Sequence, residues 1–167
     1  MKMKNIRISA ALFLTIILFA GMTGRYVFEN IKAQKVTGNT SNQPLYLLHD
    51  GDLDDLEIDF LAYVKTKGQK IAGESFIPVH KTRTFLSYQP KGELKIVGAA
   101  SMAPMMEKMA EEYMRLNPNA KISVKVSNTT QGFMKTFKKE CNFGMASREL
   151  KDYEKTLLEC EMTAKTK

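Results

Sequence analysis

The sequence has few of the residues that most often carry catalysis or bind metals. Its 167 residues include two cysteines and two histidines. Cys141 and Cys160 stand nineteen residues apart with no histidine near them, which is not a zinc-ligand spacing. His49 and His80 have no serine or cysteine arrangement that suggests a catalytic triad. Walker-type and dinucleotide-binding glycine motifs are also absent. The sequence therefore indicates no enzyme, no metal site and no cofactor.

Positive charge is unevenly distributed along the chain. The net charge is +7, of which residues 1–42 contribute +5, residues 43–92 contribute −1 and residues 93–167 contribute +3. No stripe of Lys and Arg with interleaved aromatic residues is present, so a nucleic-acid partner is not indicated. The composition, 44% hydrophobic and 26% charged, is typical of a globular fold.

The N-terminus has the pattern of an export signal. A basic stretch at residues 1–7 precedes an uncharged, mostly apolar run at residues 8–22. This run is shorter than the ~20 residues of a full membrane span, and it fits a secretory signal. With its flanks it could also serve as a short membrane anchor. We predict that residues 1–24 are a signal peptide or anchor helix, which leaves the rest extracytoplasmic, secreted or anchored to the cell membrane.

The two cysteines leave one alternative open. In an exported chain Cys141 and Cys160 could form a disulfide. The position of Cys141 at the end of a predicted helix favours two separate small apolar residues. No cysteine follows the apolar run directly, so the chain offers no residue there for lipid attachment.

The remaining chain divides into four parts by composition and periodicity. Residues 25–42 are predicted to be a polar spacer, and residues 81–92 a linker between segments 43–80 and 93–167. In the last segment, apolar runs alternate with helix-like stretches. The predicted strands are 94–97, 122–126 and 142–146, and the predicted helices are 101–116, 132–139 and 147–158. This alternation predicts an α/β fold with a mostly parallel sheet flanked by helices.

Each of these three strands ends in small, polar or glycine residues before a helix begins. A helix N-terminus carries free backbone N–H groups and partial positive charge, and parallel strands would place three such termini at one sheet edge. Candidate ligands of an anion are the hydroxyls and the guanidinium in these junctions: Ser101, Thr129, Thr130, Ser147 and Arg148. Taken singly, each Ser or Thr is better explained as a helix cap, but three successive junctions favour a site.

The same junctions resemble a known family. The stretches VGAASMAP (97–104), SNTTQG (127–132) and FGMASRELK (143–151) are similar to the start of the periplasmic-type phosphate-binding proteins of ABC transporters. The resemblance implies a type II periplasmic-binding-protein-like lobe that holds phosphate through Ser101, Thr130 and Ser147, with Arg148 adjacent. Ala99 and Ala100 stand where the family usually has hydroxyl residues, so each lost donor is expected to weaken binding by ~1–3 kcal/mol.

Residues 43–79 resemble the end of the same family, yet here they precede the part that resembles its start. The resemblance thus covers one lobe with its segments in swapped order. The two segments could form one permuted lobe, or they could be the tail of one copy and the head of another.

The resemblance implies an extracytoplasmic solute-binding domain for phosphate or a similar oxyanion, serving ABC transporter membrane subunits. Phosphate, sulfate and molybdate binders share this architecture, so the anion stays open. The alternative is a non-binding interaction module or a truncated relic of such a protein. A third possibility is self-association, in which a second copy supplies the missing face of the site.

Overall fold

The computed structural model describes residues 32–38 and 44–157. The predicted signal or anchor, the rest of the predicted spacer and Cys160 lie outside these ranges. The described strands are β1 (Lys32–Gly38), β2 (Pro44–His49), β3 (Ile77–Pro78), β4 (Gly92–Ala99), β5 (Ala120–Ser127) and β6 (Phe143–Ala146). The helices are α1 (Asp55–Lys65), α2 (Gln69–Ala72), α3 (Ala103–Leu116), α4 (Thr129–Phe137) and α5 (152–157). Across the described ranges, no helix has the length and apolar character needed to span a membrane.

The strands form one sheet with the order β3-β1-β2-β6-β4-β5. Strand β4 is parallel to both of its neighbours, β5 and β6, as the alternation of strands and helices predicted. Strand β2 is antiparallel to β6 and to β1, and β1 is antiparallel to β3. The prediction of a mostly parallel sheet is therefore wrong. The sheet is mixed because strands from the N-terminal segment extend it with antiparallel pairing beyond β6.

Strand β1 occupies part of the chain that was predicted to be a spacer. Val36 is buried in the core, and Gln69 Nε2 donates to the Val36 carbonyl oxygen over 3.1 Å. Thr37 Oγ1 donates to the Ile77 carbonyl oxygen over 2.7 Å, next to the pairing of β1 with β3. Residues 32–38 are polar apart from Ala33, Val36 and Gly38, so their strand forms through pairing and packing with distant residues rather than through a hydrophobic pattern.

The core lies between the sheet and helices α1 and α3. Phe60 of α1 contacts Tyr113 of α3, with ring centroids 5.2 Å apart, and Phe143 of β6 at 5.9 Å. These contacts join residues 43–80 to residues 93–167, so both segments share one core. The buried face of α3 includes Met106, Met109, Ala110 and Tyr113.

An extended connector, residues 81–91, crosses this core from β3 towards β4, and we call it the strap. Ser87 Oγ of the strap donates to Asp59 Oδ2 over 2.6 Å, and the Tyr113 hydroxyl donates to the same oxygen over 2.6 Å. Asp59 is buried, with 2% of its surface exposed. Asn117 Nδ2 donates to the Pro90 carbonyl oxygen over 2.8 Å. The predicted linker is thus fixed to both segments that it connects.

Helix α4 lies very close to the sheet because glycines stand at the contact. A Cβ atom on Gly132 would lie 2.9 Å from the Val97 carbonyl oxygen, and one on Gly144 would lie 2.7 Å from the Gly132 carbonyl oxygen. Gly98 has a φ of +147°, and a Cβ there would collide with the Met145 backbone. This close approach brings the N-terminus of α4 to the ends of β4 and β6.

Candidate functional site

The three predicted junctions meet at one cleft of about 610 Å³. It lies at the carboxyl ends of β4, β5 and β6, as the parallel pairing of these strands requires. All five predicted ligand residues line it together with six others. The lining consists of Ala99, Ala100, Ser101, Ser127, Asn128, Thr129, Thr130, Gln131, Ser147, Arg148 and Lys151.

The first junction leaves its helix N-terminus without a side-chain cap. A 3-10 turn, Ala100–Met102, follows β4 and runs directly into α3. Neither the turn nor α3 receives a hydrogen bond from a capping side chain, and Pro104 lies in the first turn of α3. Ser101 is exposed at the cleft. Backbone N–H groups and one hydroxyl are thus the donors that this junction provides.

The second junction is capped by a residue other than its threonines. Asn128 Oδ1 accepts a hydrogen bond from the Gln131 N–H over 2.9 Å, which identifies Asn128 as the N-cap of α4. Thr129 Oγ1 accepts from the Ser147 N–H over 3.2 Å and lies 3.4 Å from Ser147 Oγ. The hydroxyl of Thr129 therefore joins the second junction to the third.

The third junction is a loop rather than the start of a helix. Ser147 was predicted to cap a helix from 147 to 158, but α5 begins at residue 152. The backbone N–H and hydroxyl of Ser147 are engaged with Thr129 instead, so Ser147 faces α4. The cap of α5 comes from Glu154, whose Oε2 accepts from the Lys151 N–H over 2.8 Å.

An ion pair at the third junction joins Arg148, which lines the cleft, to the buried Glu154. Arg148 Nη1 donates to Glu154 Oε2 over 2.8 Å, and Nη2 donates to Oε1 over 2.9 Å, so the pair is bidentate. The Glu154 side chain is fully buried. The hydrogen bonds from Arg148 lower the pKa of Glu154 to about 2, against the opposing effect of burial. The same pairing raises the pKa of Arg148.

Thr130 belongs to this ion pair as well. Its Oγ1 accepts from Arg148 Nη2 over 3.0 Å and donates to Glu154 Oε1 over 3.1 Å. The Tyr153 hydroxyl donates to the same carboxylate oxygen over 3.2 Å. The structure therefore separates the five predicted residues into two groups. Ser101, Thr129 and Ser147 border the cleft without contacting Glu154, whereas Thr130 and Arg148 both contact it.

Sequence reasoning missed Glu154. The only signal was position, since an acid within the predicted third helix follows Arg148 by six residues. It also missed Asn128 as a cap and Lys151 as part of the cleft lining. Among residues 32–38 and 44–157, no group of three or more His, Cys, Asp or Glu side chains is placed to hold a metal ion.

Part of the chain is similar to a known superfamily. Residues 84–166 match the model of the PBP superfamily domain. This match covers β4 through α5 and includes all three junctions.

Individual relatives are phosphate-binding proteins. The chain is 30% identical over 129 residues to phosphate-binding protein PstS 2 of Streptococcus pneumoniae, covering 73% of this chain and 44% of that protein. It is 44% identical over 69 residues to phosphate-binding protein PstS of Staphylococcus haemolyticus, covering 41% of this chain and 22% of that protein. The crystal structure of a phosphate-binding protein of a phosphate ABC transporter from S. pneumoniae superposes with a TM-score of 0.63 at 30% identity. That superposition covers 67% of this chain and 45% of the crystallised one. The chain thus spans less than half the length of these relatives.

Proposed function

We propose that the cleft binds phosphate or a similar oxyanion. The observation that carries this proposal is the meeting of the segments that follow β4, β5 and β6 at one sheet edge, where hydroxyls and backbone N–H groups line the same cleft. Helix N-termini and hydroxyl groups stabilise a bound anion by donating hydrogen bonds to it, and neither brings an acidic side chain into contact with the anion. The relatives named as phosphate-binding proteins point to the same ligand.

The proposed ligands differ in how they would act. Ser101 is exposed at the uncapped first junction and donates its hydroxyl beside the free N–H groups of the turn. Thr129 and Ser147 present two hydroxyls, 3.4 Å apart, from the second and third junctions. Thr130 and Arg148, which also line the cleft, complete the proposed set, and the positive charge of Arg148 favours an anion.

We further propose that the domain works outside the cytoplasm and serves the membrane subunits of an ABC transporter. The support is the crystallised relative, which is the phosphate-binding protein of a phosphate ABC transporter. Residues 1–24 would direct the chain to the membrane or through it, since they carry the basic and apolar pattern of an export signal. A binding protein of this kind performs no chemical step, in keeping with relatives named for binding.

Binding by the described cleft alone is expected to be weak. Binding proteins of this architecture close two lobes around the ligand, and the residues matched here correspond to less than half of the relatives. A cleft formed by the matched residues alone would leave one side of the anion in water and provide fewer hydrogen bonds. We expect a dissociation constant of roughly 1 mM, or about −4 kcal/mol.

Calorimetric titration of the full chain with inorganic phosphate tests the proposal. Ser147→Ala removes one hydroxyl from the cleft, and we expect phosphate affinity to fall roughly five- to tenfold. Ser123→Ala is the matched control, because the Ser123 hydroxyl donates to the Leu94 carbonyl oxygen on β4 rather than lining the cleft. Equal affinities of Ser147→Ala and the wild type would contradict a role for this cleft in anion binding.

The second candidate function is a non-binding interaction module. It is favoured by two observations: Ala99 and Ala100 line the cleft without a hydroxyl donor, and Glu154 already engages Thr130 and Arg148. The test is the melting temperature of the wild-type chain without phosphate and with phosphate at ~20 mM, which is 20 times the expected dissociation constant. An unchanged melting temperature would support this candidate.

A further inference from the structure

The guanidinium of Arg148 has few hydrogen-bond donors left for a ligand. Its Nη1 donates to Glu154 Oε2 over 2.8 Å and to the Glu149 carbonyl oxygen over 2.7 Å. Its Nη2 donates to Glu154 Oε1 over 2.9 Å and to Thr130 Oγ1 over 3.0 Å. Since each Nη carries two hydrogens, these four bonds engage both nitrogens and leave Nε–H as the remaining donor.

Glu154 is held in place independently of any ligand. Its side chain is fully buried, and its two oxygens also accept from the Thr130 hydroxyl, the Tyr153 hydroxyl and the Lys151 N–H. Each carboxylate oxygen therefore has at least two donors. Removing such a carboxylate from its cation leaves a buried charge uncompensated, so an incoming anion does not displace it easily.

An oxyanion in the cleft thus approaches a guanidinium that already donates hydrogen bonds to two kinds of acceptor, neutral and charged. The Glu149 carbonyl oxygen and the Thr130 hydroxyl are neutral, and a charged ligand oxygen makes stronger hydrogen bonds than either. The carboxylate of Glu154 is itself an anion, and it repels a second anion that approaches the same guanidinium. Glu154 therefore acts on the ligand through Arg148 and is a positioning residue.

We propose that Glu154 is an internal competitor for Arg148 and limits the affinity of the cleft for oxyanions. The inference rests on the proposed function, since it concerns the same cleft. It predicts that the charge of Glu154 opposes binding while the same charge stabilises the fold. A merely structural role would make any change at Glu154 weaken both.

The test is a double-mutant cycle measured by calorimetry with inorganic phosphate on the full chain. We expect Glu154→Gln to raise phosphate affinity roughly tenfold, because the amide no longer neutralises Arg148. Adding Arg148→Gln should return the affinity to within about threefold of the wild type. Glu149→Gln is the matched control: it removes an acid beside the cleft whose side chain contacts Tyr46 and not Arg148, and it should change affinity less than about twofold. Unchanged or weaker binding by a folded Glu154→Gln variant would overturn the inference.

A second measurement does not depend on phosphate. Phenylglyoxal modifies accessible guanidinium groups, and peptide mass spectrometry reports each site separately. Arg83, exposed on the strap, provides the internal reference. We expect the reaction of Arg148, relative to Arg83, to be roughly fivefold faster in Glu154→Gln than in the wild type, because the bidentate pair protects it. Equal rates in both proteins would overturn the inference.

The outcomes separate this inference from the proposed function. A wild type that binds phosphate as tightly as Glu154→Gln overturns the inference and leaves the proposed function standing. A wild type without detectable binding, beside a Glu154→Gln variant that binds, supports the inference and overturns the proposed function. If neither protein binds phosphate, the phenylglyoxal rates decide the competition for Arg148 alone.

Discussion

Two buried carboxylates, Asp59 and Glu154, are held in opposite ways. Asp59 accepts hydrogen bonds from the neutral hydroxyls of Ser87 and Tyr113. Glu154 accepts a bidentate pair from the cation Arg148 and three further hydrogen bonds. Asp59 lies under the strap, in the core shared by both segments, whereas Glu154 lies at the cleft.

This difference indicates two separate roles: the contacts of Asp59 hold the fold together, and those of Glu154 adjust the cleft. Asp59 of α1 connects the strap to α3, so its contacts join three separate parts of the chain. The partners of Glu154 all lie between residues 130 and 154, within one junction and its neighbour. We therefore expect changes at Asp59 to act on the stability of the whole domain. Changes at Glu154 should act on stability and on the cleft in opposite directions.

The largest effect is expected from Asp59→Ala. Truncation removes the acceptor of the buried Tyr113 hydroxyl and of the half-buried Ser87 hydroxyl, and it leaves a cavity beside the aromatic core. The free energy of unfolding should therefore fall by about 4 kcal/mol. Urea denaturation of the full chain measures this change. Glu111→Ala, an exposed acid on α3, is the control and should stay within about 0.5 kcal/mol of the wild type. A loss at Asp59 as small as that of the control would refute the assembly role.

The second-largest effect is expected from Glu154→Gln, which should lower the free energy of unfolding by an amount that depends on pH. The pKa of Glu154 is lowered to about 2 in the fold, so its ionised form stabilises the native state above the ordinary glutamate pKa. The contribution, about 3 kcal/mol at pH 7, is lost as the pH falls from about 4.5 towards 2. Urea denaturation at pH 7 and pH 3 should show the gap between wild type and variant shrinking by more than half. A gap that does not change with pH would contradict the ion pair.

The smallest effect is expected from Asp59→Asn. An amide oxygen can still accept from the two hydroxyls, and no cation loses its partner, so the cost should be about 1 kcal/mol. The matched amide substitutions Asp59→Asn and Glu154→Gln thus differ only in whether the partners are neutral or charged. If Asp59→Asn costs as much as Glu154→Gln in urea denaturation at pH 7, the contrast between the two carboxylates fails.

Much of the C-terminal segment followed from its sequence. The apolar runs and helical stripes between residues 94 and 137 predicted β4, β5, α3 and α4, because local periodicity and core packing agree there. The meeting of the junctions followed from the parallel pairing of β4, β5 and β6. The close contact between α4 and the sheet depends on Gly132 and Gly144. The presence of these two glycines in the sequence did not predict that contact.

The errors occurred where distant contacts override local pattern. Residues 32–38 form a strand near the edge of the sheet because Val36 and Thr37 form hydrogen bonds with residues tens of positions away, Gln69 and Ile77. Ser147 lost its predicted capping role because Thr129, eighteen positions earlier, engages it. Glu154 was missed since a buried bidentate pair leaves no periodic signal in a sequence. The sequence also suggested free donors at Thr130 and Arg148, which the structure places against Glu154.

The pairing of β2 with β6 also has a consequence for the order in which the domain can form. Tyr46 pairs with Ala146, one hundred positions later in the chain. Until β6 has been synthesised, β2 has no partner on that side and presents an open strand edge. Closure of a loop this long slows folding, since its entropy must be overcome before the contact gives any stability. The domain should therefore fold late and as a whole, after residue 146 has emerged, rather than segment by segment.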